Sequence, residues 1–165
     1  MENFFGNYIE NVVKSFASND GVKVPAPIRI CLDIIETKGI ESEHLYRRNI
    51  NKSQLESICD SINHNRIETR IDELNADPNL CGAIVKKFLR ELKAPLINDD
   101  MLNTLDKFDA GISDKDAETK IEFLRKLISK MPQSNYELVA YLVMHFHKIL
   151  NKVCEFYFLN SIIYF

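Results

Sequence analysis

Two arginines stand directly after a leucine and a tyrosine in Leu45-Tyr46-Arg47-Arg48. Beyond them, Lys86 and Arg90 lie four positions apart. An arginine keeps its charge when stripped of water and offers forked N–H donors, so its chemistry is the neutralisation of negative charge on a carboxylate or phosphoryl group. At i and i+4 on a helix, Lys86 and Arg90 stack on one face and point outward together, a pattern equally at home on a solvated surface. Tyr46 beside the paired charges is equally ambiguous alone, since an arginine snorkelling over a tyrosine ring is a common packing arrangement. His145 and His147 are the other candidates for chemistry. At i and i+2 on a helix they point about 200° apart and do not share an ion, so they read as one packing and one surface residue, with no metal site.

These residues need elements to hold them, and the apolar spacing is helical almost throughout. After Val24-Pro25-Ala26-Pro27, the residues Ile28, Cys31, Leu32 and Ile35 repeat at i, i+3, i+4 and i+7, and Gly39 stands where the helix stops. Asn51 to Asn65 offers N-cap candidates followed by Leu55, Ile58, Cys59 and Ile62. Pro78 opens a third helix carrying Leu80, Ile84, Phe88 and Leu92, and Pro95 closes it. Ile121, Leu124, Leu127, Ile128 and Met131 predict the buried face of a fourth, ending at Pro132. Leu138, Val139, Leu142, Phe146 and Ile149 predict that of a fifth. Shorter helices are expected at 7–17, 66–75 and 98–108, with Asp99-Asp100 and Asp114 to Asp116 as charges favoured at helix N-termini. No stretch alternates with period two for long enough to make a strand, which predicts an all-α, irregular helical bundle.

Composition narrows the function. The chain has 165 residues, 45% hydrophobic and 27% charged, which suits one compact domain with a real core. Twenty-four acidic against 21 basic residues leave a net charge of −3, so no global positive field exists to hold nucleic acid. Cys31, Cys59, Cys81 and Cys154 form no C-x-x-C pair and sit in apolar helical runs, which predicts reduced core thiols. Met1-Glu2-Asn3 begins without a basic segment or apolar stretch, and a cytoplasmic protein is expected.

In order and spacing the pieces resemble the Rho-family GTPase-activating (RhoGAP) domain. That family opens with a Phe-Gly pair, here Phe5-Gly6, followed by a Pro-containing lead into an apolar helix, here Val24 to Ile28. Its Gly-hydrophobic-aromatic-Arg loop corresponds to His44-Leu45-Tyr46-Arg47. Its Lys-x-aromatic-hydrophobic-Arg-Glu-Leu-Pro-x-Pro-Leu segment corresponds to Lys86-Lys87-Phe88-Leu89-Arg90-Glu91-Leu92-Lys93-Ala94-Pro95-Leu96, the most specific part. Leu142-Val143-Met144-His145-Phe146 is similar to the family's His-bearing helix. The resemblance implies a RhoGAP-like domain over 1–151 and a GTPase activator, a regulator acting in trans on a Rho, Rac or Cdc42-like small GTPase and not itself the hydrolase. Arg47 would be the catalytic arginine finger, while Lys86, Arg90 and Tyr46 support its loop or contact the partner. No cofactor of its own is implied, since GTP and Mg²⁺ belong to the GTPase.

Three departures qualify what the resemblance implies. His44 and Ile50 stand where the family has glycines. A β-branched Ile50 fits positive φ poorly, so the loop either takes another path or carries strain of about 1–3 kcal/mol. Lys93 replaces a proline at an expected exposed turn, and Asn151-Lys152 comes too early to stand for the family's later Asn-Lys step. Residues 152–165 form a divergent apolar tail, shorter than the ~20 residues that span a bilayer. Membrane contact is expected only through the partner or this tail. The alternative is a catalytically silent module of the same fold that binds a GTPase or another signalling partner, motivated by the missing glycines and asparagine.

Overall fold

The computed structural model describes residues 3–18, 20–40, 42, 44–109 and 116–163, with side chains described up to Lys152 apart from position 109. Its helices are α1 (Ile9–Ser15), α2 (Ala26–Ile34), α3 (Lys52–Asn63), α4 (Ile71–Ala76), α5 (Pro78–Glu91), α6 (Asp99–Asp109), α7 (Ala117–Ile128) and α8 (Gln133–Ile163). A wide π-helical turn, Ile35–Gly39, extends α2, and a 3-10 turn, Ile67–Arg70, leads into α4. No strand occurs among the described residues, and the fold is the all-α bundle that the spacing predicts.

Local chemistry explains where the helices start. Asn51 caps α3 by accepting from the backbone N–H groups of Ser53 and Gln54. Asp77 caps α5 in the same way through Asn79, and Pro78 takes the first helical position, where no N–H is needed. Asp116 caps α7 through Thr119 at 2.7 Å. Asp99 and Asp100 occupy the first turn of α6, while Asp114 lies outside the described residues.

The core is centred on α2 packed against α5. Ile28, Cys31 and Leu32 from the first meet Leu80, Cys81, Ile84 and Phe88 from the second, all essentially excluded from water. Phe4 drives into this core and contacts the rings of Phe88 and Phe16 at centroid distances of 4.8 and 5.0 Å. Cys31, Cys59 and Cys81 are buried free thiols, and the side chain of Cys154 lies outside the described set.

Two of the expected buried faces are corrected. On α7 only Leu127 is buried, whereas Ile121 and Leu124 are 49% and 40% exposed. An apolar stripe marks the face a helix can bury, but a partner must lie against it. One contact made by α7 is the stacking of Phe123 on Phe108 of α6. On α8 the inward stripe is Leu138, Leu142, His145 and Ile149, while Phe146 is 43% exposed. The helix is rotated so that a histidine, not the following phenylalanine, enters the core. Its backbone continues through the 152–163 stretch as one helix. Among the described residues no helix is long and apolar enough to cross a membrane.

Candidate functional site

The loop between the π-turn and α3 is built on two residues in the left-handed region, His44 at φ 61° and Tyr46 at φ 66°. His44 occupies the position where a glycine was expected, so the strain sits there and at Tyr46. Ile50 does not have positive φ and packs half-buried against the core, so the strain anticipated at that position is absent. Each left-handed non-glycine residue costs on the order of 1–2 kcal/mol. The carbonyl of His44 accepts from the N–H groups of both Arg47 (2.7 Å) and Arg48 (3.0 Å), which closes the turn. This curl sends Tyr46 inward and Arg47 outward.

Tyr46 meets the body of the fold at three points. Its ring lies on Gly82 of α5, where an added Cβ would stand 3.2 Å from Tyr46 Cδ1. The glycine is required by this close approach. Lys86, one helical turn further along α5, donates from Nζ to the carbonyl oxygen of Tyr46 at 2.5 Å. The Tyr46 hydroxyl donates to Nε2 of His145 at 2.6 Å. Its phenol is held above its ordinary pKa, chiefly by burial and then by the neighbouring Cys31, Cys81 and Glu36, so it keeps its proton as a donor.

A buried polar chain stands behind Tyr46. His145 is 1% exposed, and its Nδ1 lies 2.9 Å from Glu36 Oε1 on the π-turn. The carboxylate accepts from Nδ1–H, which leaves Nε2 to face the Tyr46 hydroxyl. Glu36 Oε2 accepts from Lys148 at 2.8 Å, and its carbonyl accepts from Lys152 at 3.1 Å. Burial raises the Glu36 pKa, but the hydrogen bonds from Lys148 and His145 outweigh it and the carboxyl sits below its ordinary range. Sequence reasoning placed His145 in packing and His147 on the surface, as found, but missed Glu36 and this connection. The signal was available for His145, which lies seven residues after Leu138 on its inward stripe. None marked Glu36.

Arg47 is exposed, and its guanidinium makes no hydrogen bond or ion pair among the described residues. Arg48 is also exposed and lies 3.7 Å from Asp77, a screened pair worth about 0–1 kcal/mol. Arg90 is exposed on the same α5 face as Lys86, with no polar partner among the described residues. Lys93 is exposed, as expected of its turn. Asn151 is exposed and bonds His147 at 3.0 Å. No cluster of three metal-ligating side chains occurs among the described residues. The arrangement presents a free, charged guanidinium on a braced loop beside a basic helix face. It can be offered to an anionic group on another molecule.

Comparison with known proteins follows from this geometry. Residues 25–154 match the RhoGAP domain family. The chain is 27% identical over 148 residues to RalA-binding protein 1 of Drosophila melanogaster, covering 90% of this chain and 23% of that protein. It is 31% identical over 133 residues to Rho GTPase-activating protein 23 of Mus musculus, covering 80% of this chain and 9% of that one. The chain therefore spans less than a quarter of the length of these curated relatives. The crystal structure of human Rho GTPase activating protein 15 superposes with a TM-score of 0.75 over 92% of this chain and 69% of that chain, at 24% identity, and has the same fold. With the family match extending over most of its length, the chain belongs to the RhoGAP domain family.

Proposed function

We propose that this domain accelerates GTP hydrolysis by a Rho-family small GTPase, supplying Arg47 in trans. The observation that carries the reading is the Arg47 guanidinium, exposed and unpaired among the described residues, while Tyr46 before it is tied to the fold and Arg48 after it lies beside Asp77. Hydrolysis spreads negative charge over the phosphoryl group being transferred. A guanidinium held ready in a site closed to water stabilises that charge without reorganisation at the moment of reaction. GTP and Mg²⁺ are the partner's, and the domain contributes charge and geometry. Lys86 braces the loop through the Tyr46 carbonyl, and Arg90, with no polar partner among the described residues, contacts the GTPase. Relatives named as Rho GTPase-activating proteins support this class of partner.

Single-turnover GTP hydrolysis by a panel of Rho, Rac and Cdc42-like GTPases, with and without the domain, tests the reading. A finger is worth about 10³–10⁵ in rate, so Arg47→Ala removes nearly all stimulation while binding persists, because the group acts in the transition state. Arg48→Ala changes little, and Lys86→Ala or Arg90→Ala weakens binding or disorders the loop. Binding without stimulation by the wild type would replace the activator with a silent module.

A further inference from the structure

We propose that Glu36 and His145 are positioning residues for the finger, forming a carboxylate–imidazole–phenol clamp, centred on the buried imidazole, that fixes Tyr46 and, through its backbone, the adjacent Arg47. The inference rests on the activator reading above. Its physical basis is a continuous chain of short hydrogen bonds, from Glu36 Oε1 through Nδ1 and Nε2 of His145 to the Tyr46 hydroxyl, at 2.9 and 2.6 Å.

A carboxylate, an imidazole and a hydroxyl in line are also the parts of a nucleophile with its base. Here the imidazole that would serve as the base is 1% exposed, and the half-buried phenol is packed against His145, Phe146 and Gly82, which leaves the chain of bonds little room for a substrate. The same groups suit a rigid brace. Glu36 fixes the tautomer and ring orientation of His145, just as a hydrogen-bonded carboxylate orients a metal-binding imidazole. His145 then presents its Nε2 lone pair to one hydroxyl in one place. Lys148 and Lys152, one turn apart on α8, hold Glu36 from the outer side.

The clamp is needed because the loop has little reason of its own to adopt this shape. His44 and Tyr46 are left-handed without being glycine, and such residues persist only where the surroundings over-determine them. Three elements supply that surplus at Tyr46: the π-turn and α8 through the clamp, and α5 through Gly82 and Lys86. Glu36 lies on the π-turn, which packs against α8, and such turns recur at functional sites.

The test combines activity with a measurement on the isolated domain. Tyr46→Phe deletes only the hydroxyl, and His145→Leu removes the imidazole at similar volume. His145→Gln keeps an acceptor near the Nε2 position. His147→Gln, on the exposed neighbour, is the control. Misplacing a catalytic group by about 1 Å costs up to about 10²-fold. Tyr46→Phe and His145→Leu are therefore expected to lower the maximal stimulated rate by about 10- to 100-fold at unchanged affinity, His145→Gln to recover much of it, and His147→Gln to change nothing. Affinity for the GTPase stays at the wild-type value in each variant, whereas a purely structural role would weaken binding and rate together. Hydrogen exchange of the Arg47 and Arg48 amides, bonded to the His44 carbonyl, rises in Tyr46→Phe and His145→Leu. Wild-type rate and exchange in both variants would overturn the clamp, as would a rate loss matched by an equal loss of affinity. Should the wild type stimulate no GTPase, the activator reading fails and the positioning role with it. Exchange then separates that failure from the clamp's own, since unchanged exchange removes the clamp as well.

Discussion

Gly82→Ala sets helix stability against finger placement. In the middle of α5, alanine is favoured over glycine by about 0.8–1 kcal/mol because it loses less backbone entropy on folding. The new methyl carbon would stand 3.2 Å from Tyr46 Cδ1, 3.5 Å from Cε1 and 3.6 Å from the Tyr46 backbone nitrogen, so the ring must retreat by a few tenths of an ångström. It cannot retreat freely, because its hydroxyl is held 2.6 Å from His145 Nε2 and its carbonyl 2.5 Å from Lys86 Nζ. Overpacking of this size costs about 1–3 kcal/mol. The two terms partly cancel to a net cost of about 0–2 kcal/mol, and for a chain of this length the melting temperature should fall by about 0–8 °C. The finger has no such compensation. If a 1 Å error costs up to about 10²-fold, a few tenths cost about 3- to 10-fold in the stimulated single-turnover rate. Thermal unfolding and single-turnover hydrolysis on one preparation check both numbers. A variant more stable than wild type by the full helix increment, with an undiminished rate, would refute the claim that Gly82 is required for Tyr46 to sit where it does.

Two further expectations concern stability. Because the Glu36 carboxyl is depressed below its ordinary value of 4.5, its contribution is fully present above that pH and is lost as pH falls through the lower folded value. Urea denaturation from neutral pH down to about pH 3 should show a smaller acid loss in Glu36→Gln than in wild type, and parallel curves would remove Glu36 from the acid response. Asn51→Ala leaves two N–H groups of α3 uncapped and should cost about 1 kcal/mol by the same measurement, with the stimulated rate nearly unchanged because the hydrogen bonds that anchor Tyr46 come from α5 and α8.

The helices were legible in the chain itself because their signals are local. Pro78 after Asp77, Asn51 before Lys52, and apolar residues at i, i+3 and i+4 state a helix and its start without reference to anything distant. The basic pair Lys86 and Arg90 was legible for the same reason, since four residues on one helix are always neighbours. What lay beyond the sequence is everything that depends on two segments meeting. Phe146 and His145 are adjacent in sequence, and only the rotation of α8 against α2 and the π-turn decides that the imidazole goes in and the phenyl ring stays out. Ile121 and Leu124 have the spacing of a buried face, yet burial also requires an opposing surface, which no spacing encodes. Strain was legible as a departure from the glycine pattern, but its location was not. Backbone torsions at His44, Tyr46 and Ile50 are settled jointly by where Tyr46 is anchored. That anchor draws on Glu36, Gly82, Lys86 and His145, residues up to 109 positions apart that become neighbours only when α5, α8 and the π-turn close around one ring.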